Sequence, residues 1–222
     1  HVRLPDAAAG IRHAQQAIAL LEETDDIAWL GHAHWALAAN LTRCGRYVDA
    51  GPLLDRVRAL ALSCGDTRLE AYAEWTSSWV SLALCDYDAA VEACRRAVEV
   101  APDSLHRAAA LTYLGSACKD GAQVGEAIAA LEEALRLYHG FTGVGFMEAF
   151  ARLSLADALL ASARPEQARE HALGTIELGE NTRWPLIVGR AQRTLGRALR
   201  SLGDLAGAEA RLREAAATLR GS

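Results

Sequence analysis

The sequence predicts an all-α protein built from repeated helical hairpins. Of its 222 residues, 47 are alanine and 32 are leucine, and both are strong helix formers. The β-branched residues Val, Ile and Thr, which favour strands, are comparatively sparse. Short turn segments also recur at nearly constant intervals. The apolar residues beside them repeat every three or four positions, as on one face of a helix.

Five turn segments, each ending on alanine, define the repeat. The final alanines are separated by 40, 37, 41 and 40 residues; they are Ala50, Ala90, Ala127, Ala168 and Ala208. We predict one domain over residues 1–222, with hairpins at about 27–65, 66–103, 104–140, 146–180 and 182–220. Residues 6–21 are predicted to be the second helix of a preceding repeat. Because the chain opens with His1 and its only methionine is Met147, we expect a fragment of a longer protein.

Turn and cap residues justify the individual helix boundaries. Gly45 and Gly203 suit the left-handed backbone that often ends a helix. Either Asp103 or Ser104 can cap the first helix of the third hairpin. Pro52 falls inside the helical pattern of the first hairpin, so we expect that helix to begin late or to bend.

The first helix of the second hairpin is unusually polar. Glu74, Ser77, Ser78 and Ser81 occupy positions where packed apolar residues are expected. We therefore predict that this helix is rotated relative to the others, or that its register differs from the repeat pattern.

Two segments resemble the tetratricopeptide (TPR) repeat family. Residues 85–102 (CDYDAAVEACRRAVEVAP) resemble a second TPR helix with its terminal proline, and residues 111–115 (LTYLG) resemble a first helix with its Leu-Gly pair. The units exceed the usual length of about 34 residues. In this they are similar to the arrays of bacterial signalling ATPases, LuxR-type regulators and adenylate-cyclase-like regulators. The resemblance implies a right-handed α-solenoid of about five hairpins plus an N-terminal helix.

Composition and charge argue against several function classes. The net charge is −5 and the pI is about 5.8, which disfavours direct nucleic-acid binding because phosphate contacts need a basic surface. No signal peptide or membrane-spanning stretch is recognisable, so we expect a cytoplasmic protein with no membrane partner. The five cysteines lack Cys-x-x-Cys spacing, and we expect them to be reduced, small buried hydrophobes; they are Cys44, Cys64, Cys85, Cys94 and Cys118.

No motif predicts an enzyme, a metal site or a cofactor. Ser116 and Lys119 match the Ser-x-x-Lys spacing of some acyl-transfer enzymes, but the companion motifs are missing. The glycine-rich segment 140–145 does not follow a predicted strand, as a nucleotide loop would. His32 and His34 lie two residues apart and so point to different sides of a helix. We expect no catalytic residue, no cofactor and no metal.

The TPR resemblance implies a concave groove lined by the first helices, where partners bind. The partner-binding residues predicted there are Trp35, Tyr72, Trp75, Trp79, Tyr113, Phe150, Arg190, Arg193, Arg197 and Arg200. Trp75 and Trp79 lie one turn apart, and both a groove and a core position remain open for them. The four arginines recur at 3-4-3 spacing; they form either a solvated stripe or a docking site for an acidic partner or for the acidic portion of a second copy of the chain.

These observations predict a non-catalytic sensor module that binds a protein or peptide within a larger bacterial signalling or transcription regulator. The partner is a separate protein or peptide, or another domain of the same chain. Two alternatives stay open: a scaffold that self-associates, for example as a homodimer, and a sensor that binds a small-molecule effector in the groove.

Overall fold

A computed structural model describes residues 7–221. These residues form eleven α-helices and no strand, which confirms the all-α prediction. The helices are α1 (Ala7–Leu21), α2 (Ile27–Arg43), α3 (Tyr47–Cys64), α4 (Thr67–Ala83), α5 (Tyr87–Val100), α6 (Ser104–Asp120), α7 (Val124–Tyr138), α8 (Gly145–Ala161), α9 (Pro165–Asn181), α10 (Pro185–Ser201) and α11 (Leu205–Arg220). Helix α2 packs on α3, α4 on α5, α8 on α9 and α10 on α11, as consecutive helical hairpins.

The chain forms two compact units that divide within α6. Unit 1 ends at Tyr113 and unit 2 begins at Leu114. In unit 1 the first helix of one hairpin also packs on the first helix of the next, α2 on α4, and in unit 2 α8 packs on α10 in the same way. Side chains from successive first helices therefore meet on a common face within each unit.

One residue with a left-handed backbone makes the turn inside each hairpin. The φ angles are 75° at Gly45, 60° at Cys85, 61° at Ala122, 57° at Ala163 and 86° at Gly203. In every case the next residue donates its N–H to the carbonyl five positions earlier, as from Arg46 to Leu41 at 2.9 Å and from Asp204 to Leu199 at 3.0 Å. This is the Schellman ending of a helix. Cys85, Ala122 and Ala163 adopt it although each carries a Cβ.

Glycine allows close contacts between helices in both units. A Cβ on Gly31 of α2 would lie 2.4 Å from Cδ2 of Leu69 on α4. A Cβ on Gly196 of α10 would lie 2.8 Å from Cγ of Leu212 on α11. Neither contact leaves room for a larger residue, and the surrounding core is made largely of alanine and leucine.

The predicted late start of the helix containing Pro52 is wrong. Helix α3 begins at Tyr47, and Pro52 lies inside it. Proline cannot donate to the carbonyl of Val48, so one bond of the helical ladder is missing. The Val48 side chain is 87% exposed. Water can therefore satisfy the carbonyl, and the helix continues through the proline.

The polar first helix of the second hairpin packs without a change of register. Glu74 of α4 is 4% exposed, and its two oxygens accept hydrogen bonds from Nε of Arg58 on α3 (2.5 Å) and Nε of Arg96 on α5 (3.0 Å). Nη2 of Arg58 also donates to Oγ of Ser77, and Oγ of Ser78 donates to the Trp75 carbonyl at 2.7 Å. These buried polar groups are satisfied by neighbouring helices and by α4 itself, so the rotation expected from the sequence is unnecessary.

The cysteines divide between core and turns. Cys94 and Cys118 are buried as predicted, whereas Cys44, Cys64 and Cys85 are exposed because they lie at helix ends and turns. All five are free thiols. Among the helices of residues 7–221, none combines the length and the apolar character needed to cross a membrane.

Candidate functional site

A continuous row of aromatic and imidazole rings crosses the first helices of unit 1. We call it the aromatic ladder; it comprises Trp29, His32, Trp35, Tyr72, Trp75, Trp79, His106 and Tyr113. These rings come from α2, α4 and α6, the first helices of three successive hairpins. Repetition of the hairpin therefore brings together residues that are far apart in the sequence.

Tyr72 is the centre of the aromatic ladder. Its ring centroid lies 4.6 Å from that of Trp35, 4.8 Å from Trp75, 5.8 Å from His106 and 6.0 Å from His32. These separations fall in the range of favourable tilted and edge-to-face ring pairs. The rings thus hold one another in fixed orientations before any partner arrives.

Exposure differs strongly along the aromatic ladder. Trp29 is 65% exposed, and Trp35, Tyr72 and Trp79 are partly exposed. Trp75 is only 7% exposed and packs in a core cluster with Ala71, Ala97 and Ala110, which favours the core position over the groove for this residue. The Trp75 indole packs against the rings of Tyr72 and Tyr113.

Helix-capping aspartates orient the two histidines of the aromatic ladder. Asp66 caps α4 by accepting from the Leu69 N–H at 3.0 Å, and its second oxygen lies 3.2 Å from Nε2 of His32. Asp103 caps α6 and lies 2.8 Å from Nδ1 of His106. Because a carboxylate only accepts, Nδ1 of His106 donates to it, and in the neutral imidazole Nε2 then accepts from the Tyr72 hydroxyl at 3.3 Å.

The local electrostatics keep both aspartates ionised and the tyrosine neutral. Burial alone would raise the pKa of Asp66, but hydrogen bonds from the Leu69 N–H and His32 outweigh it and lower the pKa below 3.8. The backbone N–H and imidazole of His106 lower the pKa of Asp103. Burial raises the pKa of Tyr72 above 10.0. At neutral pH the Tyr72 ring at the centre of the aromatic ladder is therefore uncharged, and the two capping aspartates are anionic.

The predicted residues of unit 2 lie on α8 and α10. Phe150 is half-buried and packs against a core cluster containing Leu153 and Ile187. On α10, Arg190 is partly buried, whereas Arg193, Arg197 and Arg200 are exposed. Phe150 therefore serves mainly in packing, and the arginines form a surface.

Sequence reasoning missed two members of the aromatic ladder and most of its hydrogen bonds. Trp29 was not singled out, although its i, i+3 spacing to His32 predicts that both lie on one face of α2. His106 follows the Asp103 cap by three residues, a spacing that favours a contact with the capping carboxylate. The Trp35–Thr76 and Tyr72–His106 bonds join different helices, and no local pattern encodes them.

No catalytic or metal centre emerges from the described residues. Within the range 7–221, no group of three or more His, Cys, Asp and Glu side chains is arranged to hold a metal ion. Ser116 and Lys119 both lie on α6, and the Lys119 ammonium pairs with Asp120.

Comparison with known proteins reveals the fold but no close relative. No protein-family model and no curated protein matches the sequence. Among solved structures, BtubC (BKLC) from P. vanneervenii is similar, with 16% identity, a TM-score of 0.78, and coverage of 98% of this chain and 92% of that one.

Two further solved structures are TPR proteins by name. A putative kinesin light chain from Podosopora anserina with nearly identical TPR-like repeats has 20% identity and a TM-score of 0.67, with 84% of this chain and 93% of that one covered. YrrB, a TPR protein with an unusual peptide-binding site, has 16% identity and a TM-score of 0.55, with 94% and 93% covered. The fold is therefore that of TPR-like repeats.

Proposed function

We propose that this chain is a non-catalytic module that binds a peptide or an extended protein segment on the aromatic ladder. The observation that carries the proposal is the ring surface itself. Three first helices together place eight rings in this row, and Trp29 at one end of it is 65% exposed. Partly exposed tryptophan and tyrosine held on a rigid scaffold are the residue types that anchor protein interfaces.

The form of the aromatic ladder favours a peptide over a small molecule. The centroids of neighbouring rings lie 4.6–6.0 Å apart, and the row crosses three helices. The rings therefore form a long surface rather than the wall of an enclosed cavity. An extended chain can use such a surface by placing successive apolar side chains on it. The similar TPR protein YrrB is described as having a peptide-binding site, which supports the same class of ligand.

We further propose that the module is cytoplasmic and belongs to a larger bacterial signalling or transcription regulator, in which peptide binding biases an attached effector domain. This part rests on the long repeat units and their resemblance to regulator arrays. The genomic sequence adjoining these residues tests it, because a nucleotide-binding or cyclase core would support the proposal and its absence would contradict it.

The binding proposal is tested with peptides selected from a displayed library. Peptides enriched on the wild-type chain should bind the Trp29→Ala variant about thirtyfold more weakly, the effect of removing a tryptophan anchor worth about 2 kcal/mol. The matched control is Phe146→Ala in unit 2, which removes an aromatic ring that is 53% exposed and lies outside the aromatic ladder. Equal binding by wild type and Trp29→Ala would overturn the proposal.

Self-association is the second candidate, and α11 carries the observation that favours it. Leu205 and Leu212 are 68% and 37% exposed beside an open depression of 410 Å³ between α11 and the end of α10. A second copy could cover this apolar face. A light-scattering mass that falls from dimer to monomer on Leu205→Glu would support it, and a monomeric wild type would exclude it.

A further inference from the structure

The solvent-exposed side of α10 consists largely of arginine. Between positions 190 and 200, the exposed side chains are Arg193, Arg197 and Arg200, and Arg190 is partly exposed beside them. The intervening apolar residues, such as Ala191 and Leu195, are buried against neighbouring helices. We call these four arginines the arginine face. Spacings of three, four and three residues place them on one side of the helix.

Nearby carboxylates neutralise little of this charge. Asp157 of α8 is the acidic neighbour of Arg197; the two lie 3.5 Å apart, and the same oxygen accepts from Oγ1 of Thr194 at 2.9 Å. In the described part of unit 2, no carboxylate lies within 4 Å of Arg190, Arg193 or Arg200. Like charges one turn apart repel one another, so the arrangement gains from an external anion.

Other acidic residues close by in the sequence already have partners. Glu148 of α8 pairs with Arg152 at 2.7 Å. On α11, Glu209 pairs with Arg213 and Glu214 with Arg211. These ion pairs leave Arg190, Arg193 and Arg200 uncompensated in a unit that is electrically neutral, with 13 basic and 13 acidic residues from Leu114 onwards.

We propose that the arginine face binds an acidic peptide segment of a protein partner. Along the helix axis, the Cα atoms of successive arginines lie about 4.5, 6 and 4.5 Å apart, because an α-helix rises about 1.5 Å per residue. Carboxylates on successive turns of an acidic segment have similar spacing. Each guanidinium can bind a carboxylate through two parallel hydrogen bonds, which a lysine could not do.

A protein ligand is favoured over nucleic acid by the distribution of charge. The whole chain carries a net charge of −5, and its positive surface here is confined to three turns of one helix. A long polyanion would extend beyond these three turns, whereas a short acidic segment matches their length. Screening over about 8–10 Å at physiological salt confines the attraction to the patch itself.

The test uses a fluorescein-labelled oligoglutamate peptide and fluorescence anisotropy across a salt series. The wild-type chain should bind it, with affinity that falls as salt rises. Arg190→Gln/Arg193→Gln should bind about tenfold more weakly, the loss expected for two exposed charge pairs at the upper end of their usual range. Circular dichroism should confirm that this double variant and its control are folded.

The matched control is Arg211→Gln/Arg213→Gln, which removes the same charge from α11 of the same hairpin. It should retain the wild-type affinity. Equal loss in both double variants, no binding by the wild type, or tighter binding of a single-stranded oligonucleotide than of the peptide would each overturn the proposal. Trp29→Ala should leave oligoglutamate binding intact, so failure here is distinguishable from failure of the aromatic ladder.

Discussion

The indole Nε1 of Trp35 donates a hydrogen bond of 3.0 Å to Oγ1 of Thr76. Thr76 is fully buried and donates in turn to the Tyr72 carbonyl at 2.7 Å. One hydroxyl therefore ties the first helices of two successive hairpins together and fixes the Trp35 ring against Tyr72. The bond links the helix packing of unit 1 to the geometry of the aromatic ladder.

Replacing Thr76 by valine keeps the volume but leaves the Trp35 N–H without its acceptor. We expect Thr76→Val to lower the free energy of unfolding by about 1 kcal/mol, the net contribution of one intramolecular hydrogen bond. Urea denaturation measures the change. The control is Thr42→Val, because the buried Thr42 hydroxyl bonds only to the Ala38 carbonyl of its own helix. An equal loss in both variants would show that the interhelical bond adds nothing.

Glu74 joins three helices through Arg58 and Arg96. Glu74→Gln should destabilise unit 1 by about 2 kcal/mol, less than for a fully buried ion pair because the two arginine side chains are 32% and 46% exposed. Glu92→Gln is the matched control, since Glu92 is 58% exposed and pairs with the same Arg96. The denaturant midpoints of the two variants should differ clearly. If they coincide, the buried carboxylate is not a structural element.

At the left-handed turn positions, replacing alanine by glycine and glycine by alanine should change the stability of the chain in opposite directions. Ala163→Gly should stabilise the chain by about 0.5–1 kcal/mol, because relief of Cβ strain exceeds the entropy that glycine adds to the unfolded chain. Gly203→Ala, at the equivalent position of the next hairpin, should destabilise by about 1 kcal/mol. Melting temperatures that shift in the same direction for both variants would contradict this explanation of the turns.

Local signals in the sequence were sufficient for the fold class but not for the site. The spaced alanines and turn glycines predict helical hairpins because capping and small-residue packing are decided within a few positions. The burial of Glu74 could not be predicted from local sequence, because its partners Arg58 and Arg96 come from other helices. Trp75 and Trp79 cannot be distinguished by local sequence pattern. Trp75 is more deeply buried because it packs against α5 and α6.

Two histidines should make stability depend on pH. Burial lowers the pKa of both His34 and His171 below 6.5, with help from Arg56 and Arg152 respectively, and their buried Nδ1 atoms have no hydrogen-bond partner. Protonation therefore favours the unfolded chain. This contribution is complete above pH 6.5 and is lost as the pH falls through the lowered folded-state pKa values.

We expect the double variant His34→Leu/His171→Leu to show a smaller loss of unfolding free energy between pH 7.5 and pH 5 than the wild type. The measurement is urea denaturation at a series of pH values. His13→Leu removes an exposed imidazole from α1 and tests whether the loss of any histidine has the same effect. An unchanged slope in the double variant would show that these two groups do not govern the acid sensitivity.

The most direct test of the aromatic ladder follows the indole N–H signals of the five tryptophans by nuclear magnetic resonance. Trp29, Trp35, Trp75 and Trp79 belong to the aromatic ladder, and Trp184 of unit 2 is an internal reference stacked on Phe146. Titration with a library-selected peptide should shift the Trp29, Trp35 and Trp79 signals and leave Trp184 unmoved. Shifts confined to Trp184, or none in the aromatic ladder at saturating peptide, would contradict the proposed binding surface.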